Sequence, residues 1–432
     1  MRGWKWVKGL VLVAWIGVGI VPGEGAPVRL SAVGDLMVHD PQIGAAWNEA
    51  LQSYDFSPQI SPLAPLLASA DLTVGNLETT FGGPRRKYTG YPCFSTPDPW
   101  ATALKDAGFD GLFTANNHCL DRGREGVLRT LEILAAEGLG STGTFASSDR
   151  PPLILERGGL TFAFLAYTYG TNGIPVPTDA PWMVNLLGQA ISADLARCAS
   201  ADVRVVSLHF GNEYQLTPSP AQRAAAKAAL DGGARIVLGT HPHVLQEVEI
   251  FSPDVPGDTR VVAWSLGNFI SSQRTEPRER SAVLHVDLER RGDEVTLLGV
   301  SATPVWTRYR RLPGGKRDIQ VVPAVEVLRR WDQGERGNWG KEEIRRLRGA
   351  ERGVARALFG KRTPLSEDGV YVLWRLRREE SLAYRRSDRG WGLPPRRCVR
   401  RAWLRRGPDP SGPGGSPGRY EGNPRGAWKP PR

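Results

Sequence analysis

From about Val28 to about Val325, short apolar runs alternate with longer stretches of helical spacing, and several of the runs end on Asp, Glu, Asn or His. Leu30-Ser31-Ala32-Val33 leads into Gly34-Asp35, with His39 just beyond, and Asp71 to Gly75 leads into Asn76-Leu77-Glu78. Phe113-Thr114-Ala115 precedes Asn116-Asn117-His118, Val203 to Leu208 precedes His209, and Ala234 to Leu238 precedes Gly239-Thr240-His241-Pro242-His243. Runs this short, bounded by turn residues, read as strands. Helices are expected through Leu63 to Leu67, from Pro97 to Ala107 before Gly108, and from Asp121 to Glu137 before Gly138, where glycine closes the last turn. Two more are expected over Leu187 to Cys198 and Ala221 to Leu230. Leu153 to Glu156 and Leu160 to Ala166 read as a hairpin around Arg157-Gly158-Gly159. Val261 to Leu266, Ala282 to Asp287 and Val295 to Val300 add antiparallel strands. The alternation predicts an α/β fold in which two βα halves pack as a layered β-sandwich flanked by helices.

The strand-end residues change the picture from fold to chemistry. Five of the six histidines lie in these motifs. Open parallel sheets put ligands outside the carboxyl ends of their strands, so these side chains should meet on one rim. Imidazole, carboxylate and carboxamide donors suit Mn, Fe or Zn, and the set is large enough for two ions. The pattern predicts a dinuclear metal enzyme or a descendant of one. His285 lies inside a strand-like run without polar companions and reads as structural.

Charge and termini refine the outline. The 432 residues carry a formal net charge of +11, but Trp391 to Arg432 holds nine Arg and one Lys against Asp409 and Glu421. Most of the excess is therefore in a Pro/Gly-rich terminal segment, not on a folded face, which argues against nucleic-acid binding. That segment should form a disordered basic tail. Residues 1–25 pair a basic start (Arg2, Lys5, Lys8) with the apolar run Leu10 to Val21, the pattern of a signal peptide or an uncleaved anchor. Either would place the body outside the cytoplasm, secreted or held at the cell surface. Residues 26–328 then form the main domain, 329–390 a helical extension with a solvated helix over Lys341 to Arg356, and 391–432 the tail. Cys93, Cys119, Cys198 and Cys398 are widely spaced and read mostly as buried free thiols, with Cys93–Cys119 and Cys119–Cys198 bridges left open.

Six motifs in order carry a resemblance. They are Gly34-Asp35-Leu36-Met37-Val38-His39, Gly75-Asn76-Leu77-Glu78, Asn116-Asn117-His118-Cys119-Leu120-Asp121, His209-Phe210-Gly211-Asn212-Glu213-Tyr214, Gly239-Thr240-His241-Pro242-His243-Val244 and Ser265-Leu266-Gly267-Asn268-Phe269. Together, from about Arg29 to about Val325, they resemble the CapA family of bacterial capsule-synthesis proteins, linked to poly-γ-glutamate. That family is similar in turn to the calcineurin-like metallophosphoesterases.

The resemblance implies a metallophosphoesterase-like fold and a site for two divalent ions (Mn, Fe, Zn or Mg). It makes Asp35 a ligand to one ion and Asn117 to the other, adds His209, and gives His241 and His243 one ion each. It leaves His118 to protonate a leaving oxygen. Asp121, three residues on, either caps the next helix or bonds the imidazole, and a carboxylate there favours imidazolium. Two departures stand out. The phosphoesterase Asp-x-His has Met37 in place of the histidine, with His39 two residues later, and the bridging Asp is replaced by Glu78. Glu213 and Asn76 are candidates for the substrate side. His241 and His243 alternate on a segment that, if extended, would point them apart unless Pro242 kinks it. The functions implied are a metal-dependent hydrolase of a phosphoester or an envelope-polymer link, or a non-catalytic component that exports or anchors an anionic polymer beside membrane-bound synthase partners. An exported nucleotidase is a third.

Overall fold

The structure is a computed structural model that describes residues 26–188, 191–251, 258–360, 366 and 369–375. The leader at 1–25 and the tail at 391–432 lie outside the described residues. Two sheets form the body. The first contains β1 (Val28–Leu36), β2 (Leu72–Leu77), β3 (Gly111–Phe113) and β4 (Gly140–Thr142), all parallel. The second contains β5 (Leu153–Arg157), β6 (Leu160–Thr168), β7 (Val203–His209), β8 (Ile236–Thr240), β9 (Val248–Phe251) and β10 (Arg260–Ala263), in the order β9-β10-β8-β7-β6-β5. β6, β7, β8 and β10 are parallel there, with antiparallel strands at both edges.

The chain then returns to the first sheet. β11 (Asn268–Ile270) pairs parallel with β1, and β12 (Arg280–Arg291), β13 (Glu294–Arg311) and β14 (Arg317–Pro323) extend that sheet antiparallel beyond β1. A last strand, β15 (Tyr371–Arg375), adds to β13. The long antiparallel extension was only partly legible in sequence, because β13 and β14 mix Arg and Thr with apolar residues.

Period-two alternation decides which side chains face where. Leu30, Ala32, Leu72 and Val74 of the first sheet meet Phe162, Phe164, Val203, Val205, Ile236 and Leu238 of the second in one shared core. The opposite faces are apolar too, which is why these strands read as continuous runs. Val33, Leu36, Leu77 and Leu112 pack on α2 (Pro99–Asp106) and its neighbours, while Leu165, Val206, Leu208 and Val237 pack against the helix at Pro220–Asp231. The result is the expected sandwich of sheets flanked by helices.

Two local expectations change. The single helix expected around Leu63 to Leu67 is three short turns, Ser57–Ile60, Ser61–Leu63 and Ala64–Leu67, each begun by a proline at its start. The helix Lys341–Phe359 is not a solvated rod. Its Ile344, Leu347 and Ala350 pack with Trp306, Val322 and Leu328, and its Val354 and Leu358 enter the core between the sheets. The high Arg and Glu content hid this apolar stripe. Arg308 completes the seam, bonding Glu343 at 3.0 Å with its guanidinium over the Trp339 ring.

Leu347→Ala tests whether that helix is part of the core. Deleting a fully buried leucine should cost about 2–5 kcal/mol in urea-induced unfolding. A change within about 0.5 kcal/mol would mean the helix is surface decoration.

Candidate metal centre

Six parallel strands from the two sheets end at one place. β1 delivers Asp35, β2 delivers Asn76 and Glu78, β3 delivers Asn117 and His118, and β6 is followed by Tyr169; β7 ends on His209, and β8 leads into His241 and His243. The backbone makes the convergence possible at two glycines. A Cβ on Gly34 would stand 1.9 Å from the Gly267 carbonyl, and one on Gly239 would stand 2.0 Å from the Trp264 carbonyl. The close approach at Gly34 comes with a bulge in β1 that sets Asp35 opposite Asn76. Asp35 N–H then donates to Gly267 O (2.8 Å), and Leu266 N–H donates to Gly239 O (2.9 Å), so residues 265–267 stitch the two sheets together beneath the site.

Asp35, Glu78 and His209 are fully buried, and His241 and His243 nearly so. Two groups of donors emerge. Asp35, Glu78 and His209 form one, Glu78, His241 and His243 the other, and in each the candidate ligand atoms lie within 4.8 Å of one another. Donors held at roughly 2.0–2.2 Å from an ion stand up to twice that distance apart, so each group needs only slight contraction to fit one. Glu78 belongs to both. Its Oε1 lies 3.8 Å from His209 Nε2 and 3.9 Å from His243 Nε2, yet has no hydrogen-bond partner, and His241 Nδ1 is likewise without one.

The surroundings hold these groups in place. Asn76 donates from Nδ2 to Asp35 Oδ1 at 2.8 Å, and the same atom lies 3.4 Å from Glu78 Oε2 and 3.3 Å from His209 Nδ1. Asn116 donates to Leu77 O at 2.7 Å and to Asn76 Oδ1 at 3.3 Å. His209 Nδ1 is 3.0 Å from the Thr240 hydroxyl and its Nε2 is 2.9 Å from Asn117 Oδ1. His243 Nδ1 meets Asp35 Oδ2 at 3.0 Å. His118 Nδ1 meets Asp121 Oδ2 at 2.8 Å, and that carboxylate also accepts from Phe94 N–H at 2.6 Å. Asp121 therefore bonds the imidazole, and the following helix starts without a side-chain cap.

Burial sets the protonation of these groups. It lowers the His241 imidazole to about 3, with His243 adding repulsion, and lowers His209 well below the usual histidine value. Neutral imidazole is the form whose lone pair can bind a cation. Burial, followed by the charge of Asp35, pushes the Glu78 carboxyl well above its usual range.

The placements answer the sequence expectations residue by residue. The segment with His241 and His243 is a tight turn, not an extended one. Both residues have positive φ (96° and 57°), and their rings sit 5.9 Å apart in the same site. His39 stands outside both donor groups. It precedes α1 (Asp40–Ala46), its ring lies edge-on to Phe94 at 5.2 Å, and Ser272 N–H donates to its Nδ1 at 3.4 Å. Burial, with repulsion from His243 and His118, lowers it to about 4. Met37 is buried beside it. Glu213 is exposed, on the loop after β7. Asn76 is wholly buried, its amide engaged with Asp35, Glu78 and His209. His285 bonds Ser31 and Thr303 inside the first sheet, and Cys93, Cys119 and Cys198 are free thiols.

Sequence reasoning missed Thr240, Tyr169 and Asn172. Tyr169 has its ring centroid 4.6 Å from that of His241 and stacks near-parallel over His209 at 6.3 Å. Asn172 accepts from Asn117 Nδ2 at 3.1 Å. The same strand-end rule would have found both, because β6 is an apolar run ending just before Tyr169-Gly170-Thr171-Asn172.

A divalent cation must displace the proton that burial favours on Glu78, so binding should release protons and tighten as pH rises. Titration calorimetry of chelator-treated protein with Mn²⁺, in buffers of different ionisation enthalpy, measures this directly. Glu78→Gln should weaken binding by more than the roughly 10–100-fold typical of losing an outer partner. Without metal, the folded chain keeps a proton on Glu78 that the unfolded chain releases above about 4.5. Up to about 6.5 the lowered imidazoles of His39, His209 and His241 pull the other way, because only the unfolded chain protonates them, so the fall due to Glu78 should show above that pH, and Mn²⁺ should remove it. A melting temperature without Mn²⁺ that does not fall above that pH would contradict the arrangement.

Comparison with known proteins places the chain. Residues 29–273 match the family described as bacterial capsule synthesis protein PGA_cap. The capsule biosynthesis protein CapA of Bacillus anthracis is 29% identical over 285 residues, covering 63% of this chain and 66% of that protein. The PGA biosynthesis protein CapA of Bacillus subtilis is 30% identical over 259 residues, covering 56% of this chain and 64% of that protein. The chain thus spans just under two thirds of the length of these relatives. Among solved structures, the sulfate thiohydrolase SoxB of Thermus thermophilus aligns with 76% of this chain and 60% of its own at 13% identity and a TM-score of 0.36, a likeness too slight to bear on activity. With the family match running from β1 through β11 and so across every donor of the buried centre, the chain belongs to the bacterial capsule synthesis protein family PGA_cap.

Proposed function

We propose that this protein works outside the cytoplasm in the synthesis of a poly-γ-glutamate-type capsule, and that its buried centre binds two divalent cations (Mn, Fe, Zn or Mg) to hydrolyse a phosphoester or an envelope-polymer link. One observation carries the metal reading: Glu78 is shared by both donor groups and holds a buried oxygen with no partner. A carboxylate so placed is stable only when protonated or when a cation lies against it. Asp35 and His209 would complete one position with Asn117 close by, and His241 and His243 the other. Bound there, two divalent ions would polarise a phosphoryl oxygen and make water nucleophilic at neutral pH.

The rest falls to the chain's own groups. Asp121, fixed by the Phe94 amide, orients His118, which is placed to give a proton to a leaving oxygen. Asn76 donates to Asp35 and reaches Glu78, and Asn116 braces Asn76 and the Leu77 carbonyl. The capsule role rests on the family and on the names of the two CapA relatives. Among the described residues no helix is long and apolar enough to cross a membrane. Met37, standing where phosphoesterases carry a histidine ligand, supports a second reading in which the centre binds metal but only assists export or anchoring of the anionic polymer.

Metal analysis joined to turnover separates the two. Purified protein should carry up to two equivalents of metal and cleave an aryl phosphate with Mn²⁺. His241→Ala should abolish turnover and lower metal content. His118→Asn should keep the metal and reduce kcat by about 10²–10⁴-fold. Bound metal with no turnover on phosphomonoesters, phosphodiesters or nucleotides would favour the non-catalytic role.

A further inference from the structure

Seven large hydrophobic side chains are exposed among the described residues, and three of them, Tyr91, Tyr169 and Tyr214, touch histidines of the buried centre. They come from three separate loops. Tyr91 lies 6.3 Å from the His118 ring, Tyr169 lies 4.6 Å from His241, and Tyr214 lies 6.1 Å from His243. Their relative exposures of 68%, 43% and 42% leave much of each ring facing solvent. Scattered exposed aromatics are ordinary, but three around one polar centre form a patch, and such patches mark binding sites.

The patch is held firmly. Tyr169 N–H donates to His209 O at 3.0 Å, and Tyr214 N–H donates to Pro242 O at 2.8 Å. Tyr214 adopts φ 66°, a strained backbone for a tyrosine, and pins its loop to the turn bearing His241 and His243. Strain kept at a solvent-facing aromatic is hard to explain by packing alone.

A cation completes the rim. The Arg278 guanidinium lies 4.3 Å from the centre of the Tyr214 ring, one ring away from His243. Asn268 ties its backbone to the same turn, donating to His243 O at 3.3 Å and to Arg278 O at 3.4 Å. No carboxylate forms an ion pair with Arg278 among the described residues, whereas Arg86, Arg124, Arg157, Arg223 and Arg345 each have one. Burial, with the neighbouring Glu213 carboxylate, pushes the Tyr214 hydroxyl up to about 12. A guanidinium stacked on a ring keeps its in-plane N–H groups free for a carboxylate or phosphate.

We propose that Tyr91, Tyr169, Tyr214 and Arg278 form the recognition rim of this centre, selecting a phosphoester whose leaving part carries a ring and a second negative charge. The ring lies against the tyrosines, and the second anion pairs with Arg278. This rests on the phosphoester reading of the centre and adds to it the class of substrate.

Two non-hydrolysable ligands test it without relying on turnover. Benzylphosphonate and 4-carboxybenzylphosphonate differ only in the second charge, and calorimetry with Mn²⁺-loaded protein reads both. The carboxylated ligand should bind about tenfold more tightly or better, as a charge-assisted hydrogen bond would give. Arg278→Gln should shrink the gap below about threefold, Arg278→Lys should restore only part of it because the planar fork is lost, and Tyr214→Leu should weaken both ligands. Equal affinities for wild type would overturn the rim, and so would a gap that survives Arg278→Gln in a variant with native metal content and melting temperature. The wild-type comparison decides even if a variant misfolds. If Mn²⁺ binds and neither phosphonate does, the phosphoester reading itself fails and the rim falls with it.

Discussion

Two carboxylates and three imidazoles buried together, with no lysine or arginine among the donors in the described residues, are the constraint around which this structure is organised. An ionised carboxylate removed from water is costly unless a counter-charge or several donors meet it. Asp35 is met by Asn76 and His243, but one oxygen of Glu78 is met by nothing in the protein. Burial answers in part by favouring the protonated form of Glu78 and the neutral forms of His209 and His241. That leaves a cluster of lone pairs and a proton where two dications would satisfy every group at once. The surrounding amides limit the cost of burying these groups.

Those amides explain why the site needs both sheets. Asn76 and Asn116 belong to the first sheet, whereas Thr240 and His209 belong to the second. His209 contacts both sets, through Asn76 and Asn117 on one side and Thr240 on the other. Only a fold that brings the carboxyl ends of parallel strands in two sheets to one edge can build this network. The segment from β10 to β11, which leaves one sheet and enters the other, sets their spacing. Gly34 and Gly239 are the positions where that spacing is too tight for any side chain. The strain at His241 and His243 has the same origin: the turn must double back to return both rings to a centre that an extended segment would have split.

Much of this was legible in the sequence because burial on both faces makes a strand a plain apolar run, and because such runs here end in donors. β1, β2, β7 and β8 and the residues they deliver all follow from that rule. What stayed hidden did so for identifiable reasons. β13 and β14 face solvent in part and carry Arg and Thr, so their periodicity is diluted. The helix Lys341–Phe359 buries its stripe beneath a surface crowded with Arg and Glu. The roles of Asn76 and Thr240 depend on contacts with His209, 133 and 31 residues away along the chain, which no local pattern encodes. His39 was drawn into the expected ligand set by its distance from Asp35 along the chain, but the helix that begins at Asp40 turns its ring towards Phe94 and Ser272 instead.

The two donor groups are also unequal, and the inequality bears on how such a centre would work. Asp35 and His209 are sealed by Asn76, Asn117 and Thr240 and have no exposed surface. His241 and His243 retain a trace of exposure and lie next to Tyr169 and Tyr214, both partly exposed to solvent. Closed metal positions hold structure, whereas open ones admit water or substrate. Met37, in the position where the phosphoesterases this chain resembles have a histidine, lies on the β1 side of the centre and is buried. The less buried side of the centre is therefore the His241–His243 side, next to Tyr169 and Tyr214.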